Sequence, residues 1–130
     1  MSGINEGRVV SVTGAGRGIG RAHALGFAAE GAKVVINDLG GARDGTGAEA
    51  TVAEQVAKEI EALGGEAIAN ADDISSFACA EHLIKITTEP FGKLDVLVNN
   101  ARLLLDRMLL HIAEAEWDAV VAVHLKGHFC

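Results

Sequence analysis

Four short runs of apolar residues recur along the chain, and each is followed by a segment with the composition of a helix. Strands are predicted at Arg8–Thr13, Lys33–Asp38, Glu66–Asn70 and Leu94–Asn99. A strand that is apolar along nearly its whole length has to be covered by helices on both faces, as in a parallel sheet. The alternation therefore predicts a doubly wound parallel α/β sheet, truncated after the fourth strand and the helix that follows it. In such sheets ligands bind beyond the carboxyl ends of the strands.

The segments between the strands carry the start and stop signals of helices. Helices are expected over Ile19–Glu30, from about Val52 to Leu63, from Ser75 or Ser76 to about Glu89 before Pro90, and in a last segment that carries Trp117, Val121, His124 and His128 along one stripe. Leu39–Gly47 reads as a loop rich in Gly and Asp, and residues 103–112 as irregular or shortly helical. No linker or repeat interrupts the pattern, so we expect one domain.

The composition disfavours several classes of protein. Eleven Lys and Arg against eighteen Asp and Glu give a net charge of −7, which disfavours binding to nucleic acid or to anionic membranes. No apolar run reaches about 18 residues, no charged-then-apolar leader is found, and Cys79 and Cys130 make no disulfide framework. We therefore expect no nucleic-acid partner, no membrane association and a reducing, cytoplasmic location.

A glycine-rich turn follows the first predicted strand. Its sequence over Thr13–Gly20 fits T-G-x-x-x-G-x-G and does not fit G-x-G-x-x-G in any register. Glycines let backbone amides approach a pyrophosphate, and the helix that follows adds the partial positive charge of its N-terminus. The residues expected to contact a nucleotide cofactor here are Gly14, Arg17, Gly18, Ile19 and Gly20. The alternative is a strand-to-helix turn that binds no ligand.

An acidic residue ends the second predicted strand. Asp38 lies 18 residues beyond Gly20, close to the spacing of about 20 at which a carboxylate accepts hydrogen bonds from the ribose hydroxyls of adenosine. Such a carboxylate would repel the 2′-phosphate of NADP, so Asp38 favours NAD. Arg17 favours NADP if its guanidinium pairs with that phosphate, although it could equally contact the pyrophosphate or solvent. NAD is the predicted cofactor.

Together these motifs resemble those of the short-chain dehydrogenases/reductases. The glycine turn matches the motif of that family, Asp73-Ile74-Ser75 resembles its adenine-contacting turn after the third strand, and Asn99-Asn100-Ala101 resembles the start of its N-N-A-G segment. The resemblance implies a Rossmann-type dinucleotide-binding domain over residues 1–130. It also implies that Asp73, Ile74 and Asn100 contact the cofactor, with Asp73 accepting a bond from the adenine amine.

Two positions depart from the pattern of that family. Arg102 stands where the N-N-A-G segment has glycine, near the nicotinamide end, where a long cationic side chain would weaken or reshape cofactor binding. His124 stands where many members have an asparagine that organises the proton-relay water, which makes it the candidate catalytic residue. The alternative is a helix-face histidine packed beside Trp117. His124 and His128 have the i, i+4 spacing of a metal pair, but no third ligand is placed, so no metal site is expected.

The chain contains no tyrosine. The family that it resembles uses a Tyr-x-x-x-Lys pair and an upstream serine, and the lysine lowers the pKa of the tyrosine so that it exchanges the hydroxyl proton near neutral pH. We therefore expect the 130 residues to correspond to the N-terminal half of a dehydrogenase and to be inactive alone.

The leading prediction is an NAD-dependent oxidoreductase that transfers a hydride between nicotinamide and a secondary alcohol or ketone. Runs at Asn37–Gly41, Gly64–Asn70 and Val123–Gly127 resemble a subgroup of the family that acts on 3-hydroxyacyl-CoA. Two alternatives stay open, a non-catalytic NAD-binding or interaction module and an S-adenosylmethionine methyltransferase. The expected partners are a small-molecule substrate and a second copy of the chain, since the apolar last helix resembles the dimer helix of the family.

Overall fold

The computed structural model describes residues 3–40 and 50–130. Its elements, in chain order, are β1 (Val9–Thr13), α1 (Gly18–Ala29), β2 (Lys33–Asn37), α2 (Ala50–Ala62), β3 (Ala67–Asn70), α3 (Phe77–Phe91), β4 (Val96–Val98), a 3₁₀ turn (Leu109–His111), α4 (Glu114–Val121), a π-helical segment (Ala122–Lys126) and α5 (Gly127–Phe129). This alternation confirms the predicted α/β class. The predicted loop Leu39–Gly47 lies outside the described residues from residue 41 onward. Within the described ranges, no helix is both long and apolar enough to cross a membrane.

The four strands form a single parallel sheet in the order β3-β2-β1-β4. Thr13 of β1 pairs with Asn37 of β2, and Asn37 pairs in turn with Asn70 of β3. On the other side of β1, Val12 pairs with Val98 of β4. Because all four strands run in the same direction, their carboxyl ends meet at one edge of the sheet. That edge is where the segments with predicted binding residues begin.

The core lies on both faces of the sheet, and β1 is buried along its whole length. On one face, Val12 and Ile36 belong to a cluster that includes Val56 of α2. On the opposite face, Val35 packs with Leu83 of α3. Burying an aliphatic side chain of this size stabilises the fold by about 1.5–3 kcal/mol. The two clusters hold the helices against the sheet and so fix where each strand ends.

α3 runs two residues further than the sequence predicts. Pro90 was expected to stop the helix at Glu89, but it lies in the last turn, where its missing N–H removes only one intrahelical hydrogen bond. Gly92 follows in the left-handed conformation, with φ of 79°, and its amide donates to the carbonyl of Thr88 at 2.7 Å. The helix therefore ends at Phe91 with a glycine cap rather than at the proline.

The last helical segment is not a continuous α-helix. α4 changes at Ala122 into a π-helical turn that extends through Lys126. A π turn holds more residues than an α turn, so the residues after it are rotated relative to those before it. The single stripe predicted from Trp117 to His128 is therefore broken within this turn.

Candidate functional site

A cavity of about 490 Å³ opens at the carboxyl ends of the strands. Its volume lies in the range of about 300–1,000 Å³ found for small-molecule and cofactor sites. The walls come from the turn after β1, the ends of β2 and β3, the segment after β4, and the α4 and π-helical segments. Nine of the ten residues predicted to bind cofactor or to act in catalysis line it, namely Gly14, Arg17, Gly18, Ile19, Gly20, Asp38, Asp73, Ile74 and Asn100.

Glycine is required in the turn after β1 by backbone conformation at some positions and by close packing at another. Gly14 and Gly18 adopt positive φ angles of 63° and 57°, which L side chains rarely adopt. A Cβ on Gly20 would lie 2.3 Å from the carbonyl oxygen of Gly14 and 2.4 Å from Nδ2 of Asn100, so Gly20 is needed for close packing. A Cβ on Gly18 would meet nothing within 4 Å, which leaves open space over the start of α1.

The carboxylate of Asp38 is already tied to the backbone on both sides. One oxygen accepts a hydrogen bond from the Gly16 amide at 2.8 Å, and the other accepts from the Gly40 amide at 2.7 Å. These two bonds fix the orientation of the side chain beside the glycine turn. Since each carboxylate oxygen has two acceptor positions, both oxygens can still accept a bond from a ligand hydroxyl.

Thr13 joins the segments after β1 and β4, a role that the sequence analysis missed. Its hydroxyl donates to the carbonyl of Val98 at 3.3 Å and accepts from the amides of Asn100 at 3.1 Å and Ala101 at 3.0 Å. The side chain of Asn100 donates to the carbonyls of Thr13 and Gly14, both at 3.1 Å. Asn100 thus lines the cavity while its amide group holds the glycine turn in place.

The segment after β3 is held by its own side chains. One oxygen of Asp73 accepts from the amide of Ser75 at 2.9 Å and from its hydroxyl at 2.7 Å. Of the two serines considered as the cap of α3, Ser76 is the one whose side chain accepts from a helix amide. Ile74 is almost fully buried, and a Cβ on Gly127 would lie 2.2 Å from its Cδ1. The helix that contains Gly127 therefore packs directly on this wall of the cavity.

A polar network links the ends of β2 and β3 at the cavity, and no sequence pattern had indicated it. The side-chain amide of Asn37 donates to Oδ1 of Asn70 at 2.7 Å and to the backbone carbonyl of Asp72 at 3.0 Å. Asn70 donates to the Asp72 carboxylate at 2.8 Å, and His82 also contacts that carboxylate. Partial burial raises the pKa of Asp72, but the hydrogen bonds from Asn70 and His82 and the charge of His82 outweigh it and hold that pKa below its usual range.

His124 is the one candidate residue that does not line the cavity. Its side chain is exposed, and its Nε2 lies 2.9 Å from the carbonyl oxygen and 3.2 Å from the amide nitrogen of Leu103. The imidazole therefore ties the π-helical segment to the stretch that follows β4. In the described part of the chain, no three His, Cys, Asp or Glu side chains come close enough together to hold a metal ion.

The chemistry of the cavity fits a dinucleotide. The open space over Gly18 and the N-terminus of α1 suit a phosphate group, because backbone amides and the helix dipole favour negative charge there. The carboxylates of Asp38 and Asp73 suit hydroxyl and amine donors, as found on adenosine. Both kinds of group line the same cavity.

The sheet is parallel, and the cavity lies where the strand order reverses, with β2 and β3 on one side of β1 and β4 on the other. This arrangement defines the doubly wound α/β class. The chain belongs to the short chain dehydrogenase family, whose model matches residues 8–130. The family resemblance of the glycine turn and of the segments after β3 and β4 is thereby confirmed.

Several relatives are similar over almost the whole chain. Peroxisomal multifunctional enzyme type 2 of Mus musculus is 48% identical over 124 residues, which cover 95% of this chain and 16% of that protein. The hydroxyacyl-CoA dehydrogenase ChsB1 of Mycobacterium tuberculosis is 46% identical, covering 95% and 38%. The crystal structure of a short chain dehydrogenase from Mycobacterium avium has a TM-score of 0.89 and 55% identity, covering 98% and 45%. The chain therefore spans less than half the length of these relatives.

Proposed function

We propose that the cavity binds NAD and that the chain forms the cofactor-binding part of a short-chain oxidoreductase. The observation that carries this proposal is the shared edge of the sheet, where the open glycine turn after β1 and the carboxylate after β2 face the same cavity. The glycine turn would hold the pyrophosphate at the start of α1, and Asp38 would accept bonds from the adenosine ribose. Asp73 would accept a bond from the adenine amine, beside Ile74.

The proposed reaction is hydride transfer between nicotinamide and a secondary alcohol or ketone, with a 3-hydroxyacyl-CoA as the substrate class. A similar protein is named a hydroxyacyl-CoA dehydrogenase, which supports this substrate class. When bound, NAD would supply the hydride acceptor. The residues of this chain would bind and orient it, with Asn100 keeping the glycine turn in place through its two carbonyl contacts.

The cofactor proposal is tested by calorimetric titration with NAD, NADP and S-adenosylmethionine. We expect NAD to bind more tightly than NADP and S-adenosylmethionine not to bind. Asp38→Ala should weaken NAD by about 10- to 100-fold, the worth of hydrogen bonds to a charged group, and should reduce or reverse the preference over NADP. Unchanged selectivity in that variant would remove Asp38 from the ribose site, and binding of S-adenosylmethionine alone would favour the methyltransferase alternative.

We further propose that the 130 residues are inactive alone, even when they bind NAD. Reduction of a ketone needs a proton as well as a hydride, and a positioned acid contributes about 10²–10⁴ in rate. The chain has no tyrosine, and His124, which bonds to the backbone of Leu103, does not line the cavity. An absorbance assay with NADH and acetoacetyl-CoA should stay at the blank rate. Turnover by this chain would contradict the proposed inactivity and would make His124 the first residue to mutate. NAD binding without turnover agrees with the proposal, but the alternative of a non-catalytic module predicts the same result.

Adding the segment of a relative that extends beyond this chain separates these two functions. Restored turnover would support the oxidoreductase, whereas continued inactivity with intact NAD binding would support a binding or interaction module. Self-association and a cytoplasmic location belong to the same proposal. The cytoplasmic location is proposed from the composition of the chain. Similar proteins are named peroxisomal, so a peroxisomal location is the alternative.

A further inference from the structure

The charged residues around the cavity are separated by sign. Three carboxylates, those of Asp38, Asp72 and Asp73, follow β2 and β3, whereas the two arginines, Arg17 and Arg102, follow β1 and β4. The strand order β3-β2-β1-β4 places the carboxylates on the β3 and β2 side of the row of strands and the arginines on the β1 and β4 side. A ligand with donor groups at one end and negative charge at the other therefore has a preferred direction in the cavity.

Arg102 differs from other arginines of the chain in having no partner among the described residues. Arg21 pairs with Glu59, and Arg107 pairs with Glu116 at 2.9 Å. Arg102 lines the cavity and is exposed, and it forms no hydrogen bond or ion pair with any described residue. Its guanidinium is always charged near neutral pH and offers five donors in a planar fork that matches phosphate oxygens.

The backbone on either side of Arg102 is held in place. The amide of Ala101 donates to the hydroxyl of Thr13 at 3.0 Å, and Leu103 contacts the imidazole of His124 through both its amide and its carbonyl. The residue between them is thus presented from a fixed position. Little backbone freedom remains to be lost when its side chain binds a ligand.

We infer that Arg102 is a specificity-determining residue that binds the pyrophosphate of the dinucleotide from the β4 side of the cavity, opposite the start of α1. This inference rests on the proposed function, and it gives Arg102 a favourable contact with the cofactor in place of the weakened binding expected from the family pattern. A pyrophosphate carries two negative charges, and a bidentate guanidinium contact satisfies its oxygens in a defined plane. Arg102 therefore selects phosphate-bearing nucleotides over uncharged nucleosides and sets the direction in which they enter.

The test compares ADP, NAD and adenosine by NMR titration of the 130-residue chain and of Arg102→Ala. We expect Arg102→Ala to weaken ADP and NAD by about tenfold, which lies between the worth of an exposed ion pair and that of a charge-assisted hydrogen bond, and to leave adenosine unchanged. Raising the salt concentration should weaken ADP more in the unaltered chain than in the variant. Arg102→Lys should keep the salt dependence and lose part of the affinity, because an ammonium lacks the planar fork.

The matched control is Lys85→Ala, which removes an exposed positive charge of α3 that does not line the cavity. It should change none of the three affinities. An equal loss for ADP and adenosine in Arg102→Ala would overturn the inference, as would no loss for either ADP or NAD. If the unaltered chain binds neither NAD nor ADP, the proposed function fails and this inference with it, whereas binding that ignores Arg102 overturns the inference alone.

Discussion

Gly18 combines a left-handed backbone with open space over it, so a side chain added there has two separable effects. The positive φ of 57° makes any L residue unfavourable by about 1–2 kcal/mol. The open space, in turn, is where we propose that the pyrophosphate lies. We predict that Gly18→Val lowers the melting temperature modestly and brings NAD binding below detection, as measured by calorimetry beside circular dichroism.

Gly92 offers a matched control for that change. It has a φ of 79°, a Cβ there would also meet nothing within 4 Å, and it does not line the cavity. Gly92→Val should therefore cost similar stability and leave NAD binding intact. If Gly18→Val binds NAD as well as the unaltered chain does, the glycine turn has only an architectural role.

The residues that the sequence analysis identified are those whose role depends on local sequence. Gly18 follows a strand and opens a helix, and Asp38 ends the next strand, so spacing along the chain was enough to find both. Asn37 and Asn70 were missed because their bond depends on the register between β2 and β3, which pairs them across 33 residues. No pattern within one segment signals such a contact.

At the scale of elements, Asp95 joins the start of β4 to the start of β1 by hydrogen bonds. Its carboxylate accepts from the amide of Val9 at 2.8 Å and from Nζ of Lys93 at 3.0 Å, while its own amide donates to the carbonyl of Val9 at 2.9 Å. The hydrogen bond from the Val9 amide, followed by the contact with Lys93, holds the pKa of Asp95 below its usual range. The charged carboxylate therefore stabilises the pairing of these two strands.

This lowered pKa fixes the direction of a pH effect. A carboxyl group with a lower pKa in the folded than in the unfolded state stabilises the fold above the unfolded value, about pH 4, and loses this contribution as the pH falls through the folded value. We predict that Asp95→Asn, which keeps an acceptor oxygen but loses the charge, lowers the urea midpoint at pH 6. The difference from the unaltered chain should shrink progressively below about pH 4.

The exposed carboxylate of Asp106 provides the control for Asp95. Asp106→Asn makes the same change of charge away from the strand contact. Urea titrations of both variants from pH 6 to pH 3 should show a pH-dependent loss for Asp95→Asn only. A loss that is the same at every pH would assign the role of Asp95 to packing rather than to charge.

The elements themselves were predictable to different degrees. Strands β1 and β2 were correct within one residue because both are buried apolar runs bounded by glycine or charge. β4 is shorter than predicted because it pairs on one side only, through three residues. The π-helical segment Ala122–Lys126 was not predicted, since its contacts are with residues far away in the sequence: His124 contacts Leu103, and Val123 packs against the cluster that includes Ile74.

At the scale of the whole molecule, the part of the chain after β4 exposes several large apolar side chains. They include Leu109, Leu110, Trp117, Leu125 and Phe129, each more than 60% exposed. Apolar surface concentrated in this way marks an interaction site. We predict that the chain self-associates at micromolar concentration through this surface. Because Trp117 is the sole tryptophan, its fluorescence should shift to shorter wavelength as the chain is concentrated.

Leu125→Glu tests this surface directly. Burying a leucine contributes about 1.5–3 kcal/mol, so losing it should raise the dissociation constant by at least about tenfold in sedimentation equilibrium. Leu63→Glu is the control, because Leu63 is 81% exposed just after α2, outside this part of the chain. A monomer at high micromolar concentration, or equal effects of the two variants, would contradict the prediction.

The central position of β1 has a consequence for synthesis on the ribosome. β1 emerges before the other three strands described, yet one of its edges pairs only with β4. Thr13 bonds to Val98, which is synthesised 85 residues later. At roughly 5–20 residues per second, that edge stays open on the order of ten seconds in the growing chain. An unpaired apolar strand edge is a template for association with other chains. The nascent chain is therefore most vulnerable between the emergence of β2 and that of β4, when a chaperone that binds extended apolar segments would be most useful to it.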